Sequence, residues 1–397
     1  MADLVIREDK VILLEESHKE VRFHGHHVSV TNNDQVEAFP SGHFYAHPVE
    51  ITMDGTILKD NPHFRNWLTE PFVKSYLDQV GSAASFEIVA KTGSKSNQAI
   101  VLNCLDACYG HALYKLFNSA RYEHFGGKLI VIVHPNFQHF VPDYVDEIWL
   151  VQTTFRNQDD HLNGFHDFVL TQLKRYNKIQ LAEVDMSIDL GEVDLTAFTK
   201  VSPFDFSQFA KGEPYEIILL LREDRMWLTS KVDQWLYLVW RKTRLRSLKK
   251  YLLLKERSNY KKLIKRVNRS IRVNWKSIGI GKGLSYSFLQ DQRMDYEFFT
   301  QQEDKWCEQY ATSHLCIGVH GSNMLIPSYL SGAYISLVPA FKIANYSEDF
   351  LPRKEPLQRT LFTARNLSTS NSPGEIAAHV VGILQGYLHG NKKSLSD

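Results

Sequence analysis

The sequence predicts an α/β protein with two parallel-sheet domains and a β-rich N-terminal extension. At 397 residues the chain exceeds the length at which one hydrophobic core usually keeps growing, which favours two domains. Short apolar runs alternate with helical patterns along most of the chain, and this alternation is typical of β-α-β units with parallel strands. Residues 1–60 differ, because they show strand-like alternation and turns instead.

The composition is that of an ordinary globular protein. Apolar residues make up 43% and charged residues 23% of the chain, which excludes an intrinsically disordered protein. The N-terminus lacks a signal-peptide pattern, and no apolar run approaches the ~20 residues that span a bilayer, so we expect a cytoplasmic protein. Cys104, Cys108, Cys307 and Cys316 suit reduced, buried thiols, and the spacing of the cysteines implies no zinc site or other cofactor.

The β-rich extension, residues 1–60, shows alternating apolar positions over 21–30 and carries three closely spaced histidines, His24, His26 and His27. One interpretation of these histidines is a metal site, and the other is a surface position on a strand. Because no Asp, Glu or Cys follows them at a ligand spacing, we expect them at the surface.

Residues 61–212 form the predicted first domain. The expected order is a strand at 98–103, a helix at 107–122, strands at 128–133 and 146–151, and a helix at 161–176. Parallel strands end at the same edge of a sheet, and ligands of open α/β sheets bind outside that edge. The loops that follow the strands are therefore the expected positions of functional residues.

The loop after the first of these strands contains Asp106 and His111. An Asp or a His at the carboxyl end of a strand can serve as a general base, which typically contributes 10²- to 10⁴-fold to a rate. Both residues also have a simpler interpretation, since Asp106 can cap the following helix and His111 can cap or pack. We take both as catalytic candidates.

A second acid and histidine cluster, residues 159–166, follows the strand at 146–151. Acidic residues complement the dipole of a helix N-terminus, so a solvated first turn explains the cluster without any function. The functional alternative gives Asp160, His161 or His166 a contact with substrate hydroxyl groups or the role of the base.

Turn residues between Pro203 and Pro214 predict the boundary of a second domain, residues 213–373, which is followed by a C-terminal helix and tail over 374–397. The predicted elements are a strand at 216–221, long basic helices, a strand at 277–281, a helix at 297–310, strands at 314–319 and 334–338, and a last helix at 374–388.

An apolar strand in this second domain runs into the turn His320-Gly-Ser-Asn323, and a helical pattern follows immediately. The first amides of a helix attract anions, and glycine lets the backbone approach a ligand closely. Guanidinium groups bind phosphate oxygens at two points, and Arg222 and Arg225 follow the neighbouring strand. The sequence therefore predicts a phosphate site. Its candidate residues are Arg222, Arg225, His320, Gly321, Ser322 and Asn323.

Positive charge is concentrated in one segment, residues 241–276, which contains fifteen Lys or Arg residues and a single acid, Glu256. Apolar residues recur there at helical spacing, so the segment predicts long amphipathic helices with a basic face. That face is either solvated or attracted to anionic lipid head groups. We do not expect nucleic acid as a partner, because the aromatic residues fall on the apolar stripe.

The strand at 216–221 with its arginines and the His-Gly turn before a short helix and strand resemble the donor domain of glycosyltransferase family 61 and related GT-B enzymes, over roughly residues 213–340. The turn reads His-Gly-Ser-Asn where that family has His-Gly-Ala-Gly. The resemblance implies a GT-B fold, with two Rossmann-like domains facing a cleft. It also implies inverting, metal-independent transfer of a sugar from a nucleotide-sugar donor to a glycan or lipid-linked glycan, as in cell-surface polysaccharide biosynthesis.

Two other functions stay open at this point. A nucleotide-sugar epimerase of the same architecture would process the donor without an acceptor. A non-catalytic scaffold would dock on a membrane or an acidic partner through residues 241–276. If the protein is a glycosyltransferase, we expect the same residues to place it peripherally on the inner face of the membrane.

Overall fold

Two six-stranded sheets, each in its own part of the chain, organise the structure, which is a computed structural model. Its described residues are 11–13, 20–78, 81–91, 96–155, 161–281, 283–294, 302–345, 350–353 and 363–394. The chain divides into two compact units, Met1–Phe198 and Thr199–Asp397. One large sheet is mixed and the other is parallel, which confirms the predicted α/β class.

The first unit contains both strands and short helices. Its strands are β1 (Val11–Leu13), β2 (Glu20–Phe23), β3 (Val28–Asn32), β4 (Gln35–Ala38), β5 (Ser41–Gly42), β6 (Glu50–Thr52), β7 (Ile57–Lys59), β8 (Ser85–Ala90), β9 (Gln98–Asn103), β10 (Lys128–Val133), β11 (Glu147–Gln152), β12 (Lys178–Ala182) and β13 (Val184–Asp185). Its helices are α1 (His43–Ala46), α2 (Glu70–Leu77), α3 (Tyr109–Phe117), α4 (Phe165–Leu173) and α5 (Leu195–Thr199). The predicted helix at 107–122 is α3 followed by a 3-10 helix, Asn118–Tyr122.

The large sheet of this unit has the strand order β1-β12-β9-β10-β11-β8. The four strands β12, β9, β10 and β11 are parallel, and the antiparallel strands β1 and β8 flank them. Runs of Ile, Val and Leu fill β9 and β10, and nearly every residue of both strands is buried, as expected for parallel strands covered on both faces. The chain moves from β9 outward to β11 and then returns to β12, so the strand order reverses between β9 and β12.

Residues 20–59 form a five-stranded antiparallel sheet with the order β2-β3-β4-β6-β7. Strand β4 alternates between exposed and buried residues, which is the pattern of a sheet with one solvated face. Its buried face packs against α2, where Val36, Ile51 and Phe72 share one core.

Two of the histidines in this sheet are buried, although we expected them at the surface. His24 is 1% exposed and its Nε2 atom lies 2.8 Å from Ser29 Oγ, while His27 is 2% exposed and packs edge-on against Phe44 and Phe72. Burial lowers the pKa of His24 to about 3. The surface prediction was wrong because residues distant in sequence, on α1 and α2, cover this part of the sheet.

The second unit holds the all-parallel sheet. Its strands are β14 (Tyr215–Arg222), β15 (Val273–Ile280), β16 (Gln290–Asp291), β17 (Leu315–Val319), β18 (Tyr334–Val338) and β19 (Ala364–Ser368). Its helices are α6 (Lys231–Thr243), α7 (Arg246–Val267), α8 (Glu303–Thr312), α9 (Leu325–Leu330) and α10 (Pro373–Ser394). Residues 297–301 of the predicted helix at 297–310 lie outside the described residues. Strand β15 begins at Val273, before the predicted start at residue 277. The prediction began too late because the polar residues Asn274 and Lys276 interrupt the apolar pattern of the strand.

The strand order of the second sheet is β16-β15-β14-β17-β18-β19. Numbered along the chain within this unit, the order is 3-2-1-4-5-6, the order of the doubly wound Rossmann sheet. All five strand pairs are parallel. The order reverses between the first and fourth strands of this series, β14 and β17, which lie side by side at the centre.

The second unit begins before the boundary predicted at residue 213. Phe204 and Phe209 belong to the buried core of this unit, together with Tyr215 and Leu315. The amide of Phe204 also donates to the carbonyl of Leu330 at 2.8 Å. The turn residues between 203 and 214 therefore lie inside the second unit instead of linking two domains.

The apolar residues of α6 and α7 lie on two different faces of the helices. On α6 and α7 the buried side chains include Tyr237, Trp240, Leu252 and Leu253, which pack in one cluster. Several other apolar residues of this region are exposed. These are Trp235, Leu238, Leu245, Tyr251 and Leu254. Helical spacing cannot separate two apolar stripes on one helix, and only the packing of α6 against α7 does so.

A buried carboxylate connects two elements of the first unit. Glu147, at the start of β11, is 2% exposed and accepts hydrogen bonds from Lys128 Nζ (3.0 Å), Arg175 Nη2 (2.7 Å), Trp149 Nε1 (3.2 Å) and Tyr176 Oη (2.9 Å). Burial acts to raise the pKa of Glu147, but the hydrogen bonds from Arg175 and Lys128 outweigh it and hold the pKa at about 2.

We expect Glu147→Gln to lower the free energy of unfolding by about 2–3 kcal/mol at pH 7, because the change leaves two cations without their carboxylate. The contribution of Glu147 is present above its ordinary pKa of 4.5 and is lost as the pH falls through the folded value of about 2. The difference between the variant and the wild type should therefore shrink between pH 4.5 and pH 2. Urea denaturation at several pH values measures it.

The matched control is Glu50→Gln, which removes the exposed ion pair with Lys59 (2.7 Å). An exposed pair contributes less than about 1 kcal/mol, so this variant should unfold almost like the wild type. Equal losses in the two variants would contradict the role assigned to Glu147.

Candidate functional site

The predicted phosphate residues meet at the central pair of strands in the second unit. Strands β14 and β17 are in parallel register, with Leu220 opposite Gly318, and both end at the same edge of the sheet. The residues at 222–225 leave the end of β14, and those at 320–323 leave the end of β17. Ligands of open α/β sheets bind in the crevice at such a reversal of strand order. The fold therefore places both predicted segments at the expected position of a ligand.

Arg225 is held against the turn that follows β17. Its Nη1 atom donates to the carbonyl of His320 (3.1 Å) and to Oδ1 of Asn323 (3.3 Å). Gly321 has a φ of 148°, and a Cβ added there would collide with the Arg225 guanidinium. Glycine is thus required at this turn for a steric reason, because the guanidinium lies directly on the backbone.

Arg222 is engaged differently. It makes a two-point ion pair with Asp224, with Nε to Oδ1 at 2.9 Å and Nη2 to Oδ2 at 2.7 Å. Burial acts to raise the pKa of Asp224, but the charge of Arg222 outweighs it and lowers this pKa to about 2. The charge of Arg222 is therefore balanced by Asp224, while the guanidinium of Arg225 contacts the turn after β17.

The other residues of the turn support its backbone. His320 is 1% exposed, and its Nδ1 atom lies 3.0 Å from Ser336 Oγ on β18. Ser322 is buried as well, and Asn323 Nδ2 donates to the carbonyl of Val319. The side chains of His320 and Ser322 therefore shape the turn, whereas Arg225 and Asn323 are half-buried.

The helix after this turn is short. A 3-10 helix, Ser322–Met324, leads into the six residues of α9, and Gly321 is the N-cap without a side-chain cap bond. Since Ser322 and Asn323 do not cap the helix, the helix adds little to the site. The positive charge at the turn comes from Arg225.

The glycine-rich segment 279–283, which begins within the last residues of β15, packs against a carboxylate. Glu223 is buried and accepts hydrogen bonds from the amide of Gly283 and from Lys249 Nζ (2.6 Å). Lys282, which a phosphate could also contact, lies outside the described residues. Within the described residues the loop thus packs on an acid.

The first unit has its own cluster at the reversal between β9 and β12. Asp106 follows β9, is 7% exposed and lies 3.3 Å from His111 Nδ1 and 3.2 Å from Lys115 Nζ. Its Oδ1 atom also accepts from the amide of Cys108 at 2.9 Å. Burial acts to raise the pKa of Asp106, but the charges of Lys115 and His111 outweigh it and hold this pKa well below its usual value.

His111 contacts a second histidine that the sequence analysis missed. The Nε2 atoms of His111 and His43 are 3.3 Å apart, and His43 packs edge-on against Trp67 with ring centroids 4.8 Å apart. Burial acts to lower the pKa of His111, but Asp106 outweighs it and raises this pKa to about 10. Burial and then the charge of His111 lower the pKa of His43 to about 4. A charged His111 thus faces a neutral His43.

These contacts change the expected roles. Asp106 is an ionised carboxylate inside an ion-pair network, and His111 already carries a proton at neutral pH. His43, on α1, is the neutral member of the chain Asp106–His111–His43. The sequence carries no signal for it, because 68 residues separate His43 from His111.

The second candidate cluster ties two elements together. His166 Nδ1 accepts from the amide of Phe23 (3.4 Å), and the rings of His161 and His24 lie 5.7 Å apart. The backbone of Leu162 also donates to the carbonyl of His24 (2.6 Å). His161 and His166 therefore join β2 to the start of α4, while Asp160 lies outside the described residues.

We expect Cys108 to react with iodoacetamide at pH 7 faster than the other three cysteines. Burial acts to raise the pKa of Cys108, but the hydrogen bond with His111 and its charge outweigh it, so the pKa is lowered. Burial raises the pKa values of Cys104 and Cys316 to about 12, and it raises the pKa of Cys307 well above its usual value. His111→Gln should slow the alkylation of Cys108 by about five-fold or more.

Mass spectrometry of the alkylated peptides measures these rates. An exposed histidine of the same unit, His63, gives the control variant His63→Gln, which should leave the rate unchanged. An unchanged rate in His111→Gln would show that His111 does not influence the thiol.

Comparison of the chain with models of known protein families, with characterised proteins and with solved structures finds no match. Among the described residues, no group of three or more His, Cys, Asp or Glu side chains is arranged to hold a metal ion. The same part of the chain contains no helix that is long and apolar enough to cross a membrane.

Proposed function

We propose that the chain is a glycosyltransferase that uses a nucleotide-sugar donor. The observation that carries the proposal is the Arg225 guanidinium, held against the Gly321 turn where the strand order of a Rossmann-type sheet reverses. Dinucleotides and mononucleotides bind at this position in sheets of this order. The function rests on this geometry together with the resemblance to family 61 and GT-B enzymes.

In the proposed reaction the second unit binds the donor. The bond between the anomeric carbon and the nucleoside diphosphate breaks, and the diphosphate leaves with the electron pair. The growing negative charge is then stabilised by the Arg225 guanidinium, whose planar fork of donors matches phosphate oxygens. A guanidinium positioned in advance does this without reorganisation, which is the most effective form of electrostatic stabilisation.

The proposal takes from the resemblance the GT-B plan, in which the first unit supplies the base. As the acceptor oxygen attacks the anomeric carbon, its proton must pass to a protein group. An acceptor hydroxyl that displaces the hydrogen bond between the two Nε2 atoms would meet neutral His43 as the proton acceptor. Before the acceptor enters, Asp106 orients His111, and His111 holds His43 through that hydrogen bond. We therefore assign the base role to the pair His43 and His111, with Asp106 in support.

The finer features of the proposal come from the resemblance. They are the GT-B plan, inversion at the anomeric carbon, independence from metal ions, and a glycan or lipid-linked glycan acceptor at the inner face of a membrane in cell-surface polysaccharide synthesis. Because Arg225 supplies positive charge at the proposed diphosphate position, the proposal does not require a metal for that role.

We expect one of the nucleotides UDP, GDP, TDP and CMP to bind in the absence of a metal and to raise the melting temperature of the protein. Arg225→Ala should weaken binding about 10- to 100-fold, since a charged hydrogen bond contributes roughly 1.5–3 kcal/mol. Gly321→Ala should also weaken it, because a Cβ displaces the guanidinium. Isothermal titration calorimetry measures both.

The matched control is Arg272→Ala, which removes an exposed arginine at the opposite, amino-terminal end of the same sheet and should leave the affinity unchanged. If none of the nucleotides binds the wild type, the glycosyltransferase proposal fails and the scaffold alternative gains. Product formed from the donor alone, without acceptor, would instead identify the epimerase.

We expect His43→Gln and His111→Gln to lower the transfer rate by about 10²- to 10⁴-fold while leaving nucleotide affinity at the wild-type value. The physical reason is that these residues serve the acceptor and lie in the first unit, whereas the diphosphate binds in the second. Single-turnover transfer from the identified donor measures the effect. His63→Gln is the control, and transfer at the wild-type rate in His43→Gln would exclude this histidine as the base.

A further inference from the structure

The exposed apolar side chains of the second unit are gathered in one region. Eight large apolar residues of its described part are exposed, and all eight lie on α6, on α7 with the preceding residue, or on the 3-10 helix Ala340–Asn345. They are Val232, Trp235, Leu238, Leu245, Tyr251, Leu254, Phe341 and Ile343. Single exposed apolar residues are ordinary, but such a concentration marks an interaction surface.

The helices place these residues on a common outer side. Trp235 and Leu238 are three apart on α6 and are 62% and 45% exposed, while Tyr251 and Leu254 are three apart on α7. Residues at this spacing share a face of a helix. Both helices bury their opposite faces in one cluster, where Tyr237 and Trp240 of α6 lie with Leu252 and Leu253 of α7. The inner faces of the two helices are thus buried in this cluster, and their outer faces carry exposed apolar side chains.

The 3-10 helix Ala340–Asn345 continues the same surface. Arg241, near the end of α6, stacks over the ring of Phe341 at 5.5 Å from the ring centroid. Phe341 itself is 52% exposed. This helix follows β18, so the apolar surface reaches the carboxyl edge of the sheet, the edge that also carries the Gly321 turn.

Cations surround the apolar residues. Between residues 241 and 255 the exposed cations are Arg241, Lys242, Arg244, Arg246, Lys250 and Lys255, and this stretch contains no acid. The next acid, Glu256, is buried, where it accepts from the amide of Trp227 (3.0 Å) and from Tyr286 Oη (3.3 Å). Glu256 therefore leaves the positive charge of the surface unbalanced.

We propose that this apolar and basic face of α6, α7 and residues 340–345 docks on an anionic lipid bilayer. An apolar protein partner would desolvate the cations, and a nucleic acid would engage the cations without using the aliphatic residues. A bilayer uses both, because Trp and Leu side chains enter the interface while Lys and Arg contact the head groups. Charge complementarity with anionic lipid and the exposed Trp235 therefore favour this partner.

The inference does not depend on the glycosyltransferase activity, since none of its residues belongs to the proposed donor site or to the histidine pair. It is also compatible with a lipid-linked acceptor, because docking would bring the carboxyl edge of the second sheet to the membrane.

The test is co-sedimentation of the full chain with phosphatidylcholine vesicles, with and without phosphatidylserine, at several salt concentrations. We expect binding only to the anionic vesicles, weakening as salt screens the cations. Trp235→Ser with Leu238→Ser should weaken binding at least ten-fold. Replacing Arg241, Lys242, Arg244 and Arg246 by Gln should abolish it.

Matched controls come from the first unit. The exposed apolar pair Met53→Ser with Leu58→Ser, and the exposed cation pair Lys174→Gln with Lys178→Gln, should bind vesicles as the wild type does. A vesicle-induced blue shift of tryptophan fluorescence should disappear in Trp235→Phe, although this variant still sediments with the vesicles.

Three results would overturn the proposal. They are failure of the wild type to bind anionic vesicles, binding that is insensitive to Trp235 and Leu238, and binding to RNA or heparin in the absence of vesicle binding. Because nucleotide affinity is measured separately through Arg225→Ala, a failure here leaves the proposed donor binding untouched, and a failure of donor binding leaves the membrane proposal untouched.

Discussion

The central strand of the second sheet, β14, is the constraint on which the candidate site depends. It pairs in parallel with β15 on one side and β17 on the other, and its apolar side chains are buried on both faces of the sheet. A shift of register would expose that core, so the position of its last residue is fixed. This fixes Arg225 beside the turn after β17, and the turn accepts the guanidinium only because residue 321 is glycine.

A comparable dependence runs through the first unit, where one buried cation sets the charge of its neighbours. Lys115 is 1% exposed and donates to the carbonyl of Leu105 (2.8 Å) as well as pairing with Asp106. Its charge keeps Asp106 ionised in a buried position, and the ionised carboxylate keeps His111 protonated. The charge on His111, together with burial, keeps His43 neutral. Removing Lys115 would therefore change the protonation of residues that it does not touch.

The two units use the same geometric rule for different chemistry. Among the parallel strands of each large sheet the order reverses once, and the candidate residues follow the strands on either side of that reversal or lie next to it. In the second unit the proposed role of the Arg225 guanidinium is to bind an anion. In the first unit the proposed role of the His43 and His111 imidazoles is to accept a proton. The connection between β14 and β15 in the second unit is formed by α6 and α7, whose outer face carries the basic and apolar surface. One helix pair thus completes the sheet and presents the proposed membrane contact.

The α/β class, most strands of the two sheets, the turn at 320–323 and the concentration of positive charge could be predicted without a structure, because each is encoded by local periodicity or composition. Which groups meet depends on tertiary packing. It paired Arg222 with Asp224, laid Arg225 on Gly321, and brought His43 to His111 across 68 residues. It also buried His24 and exposed Trp235, since local pattern shows that a face is apolar but not whether another element covers it.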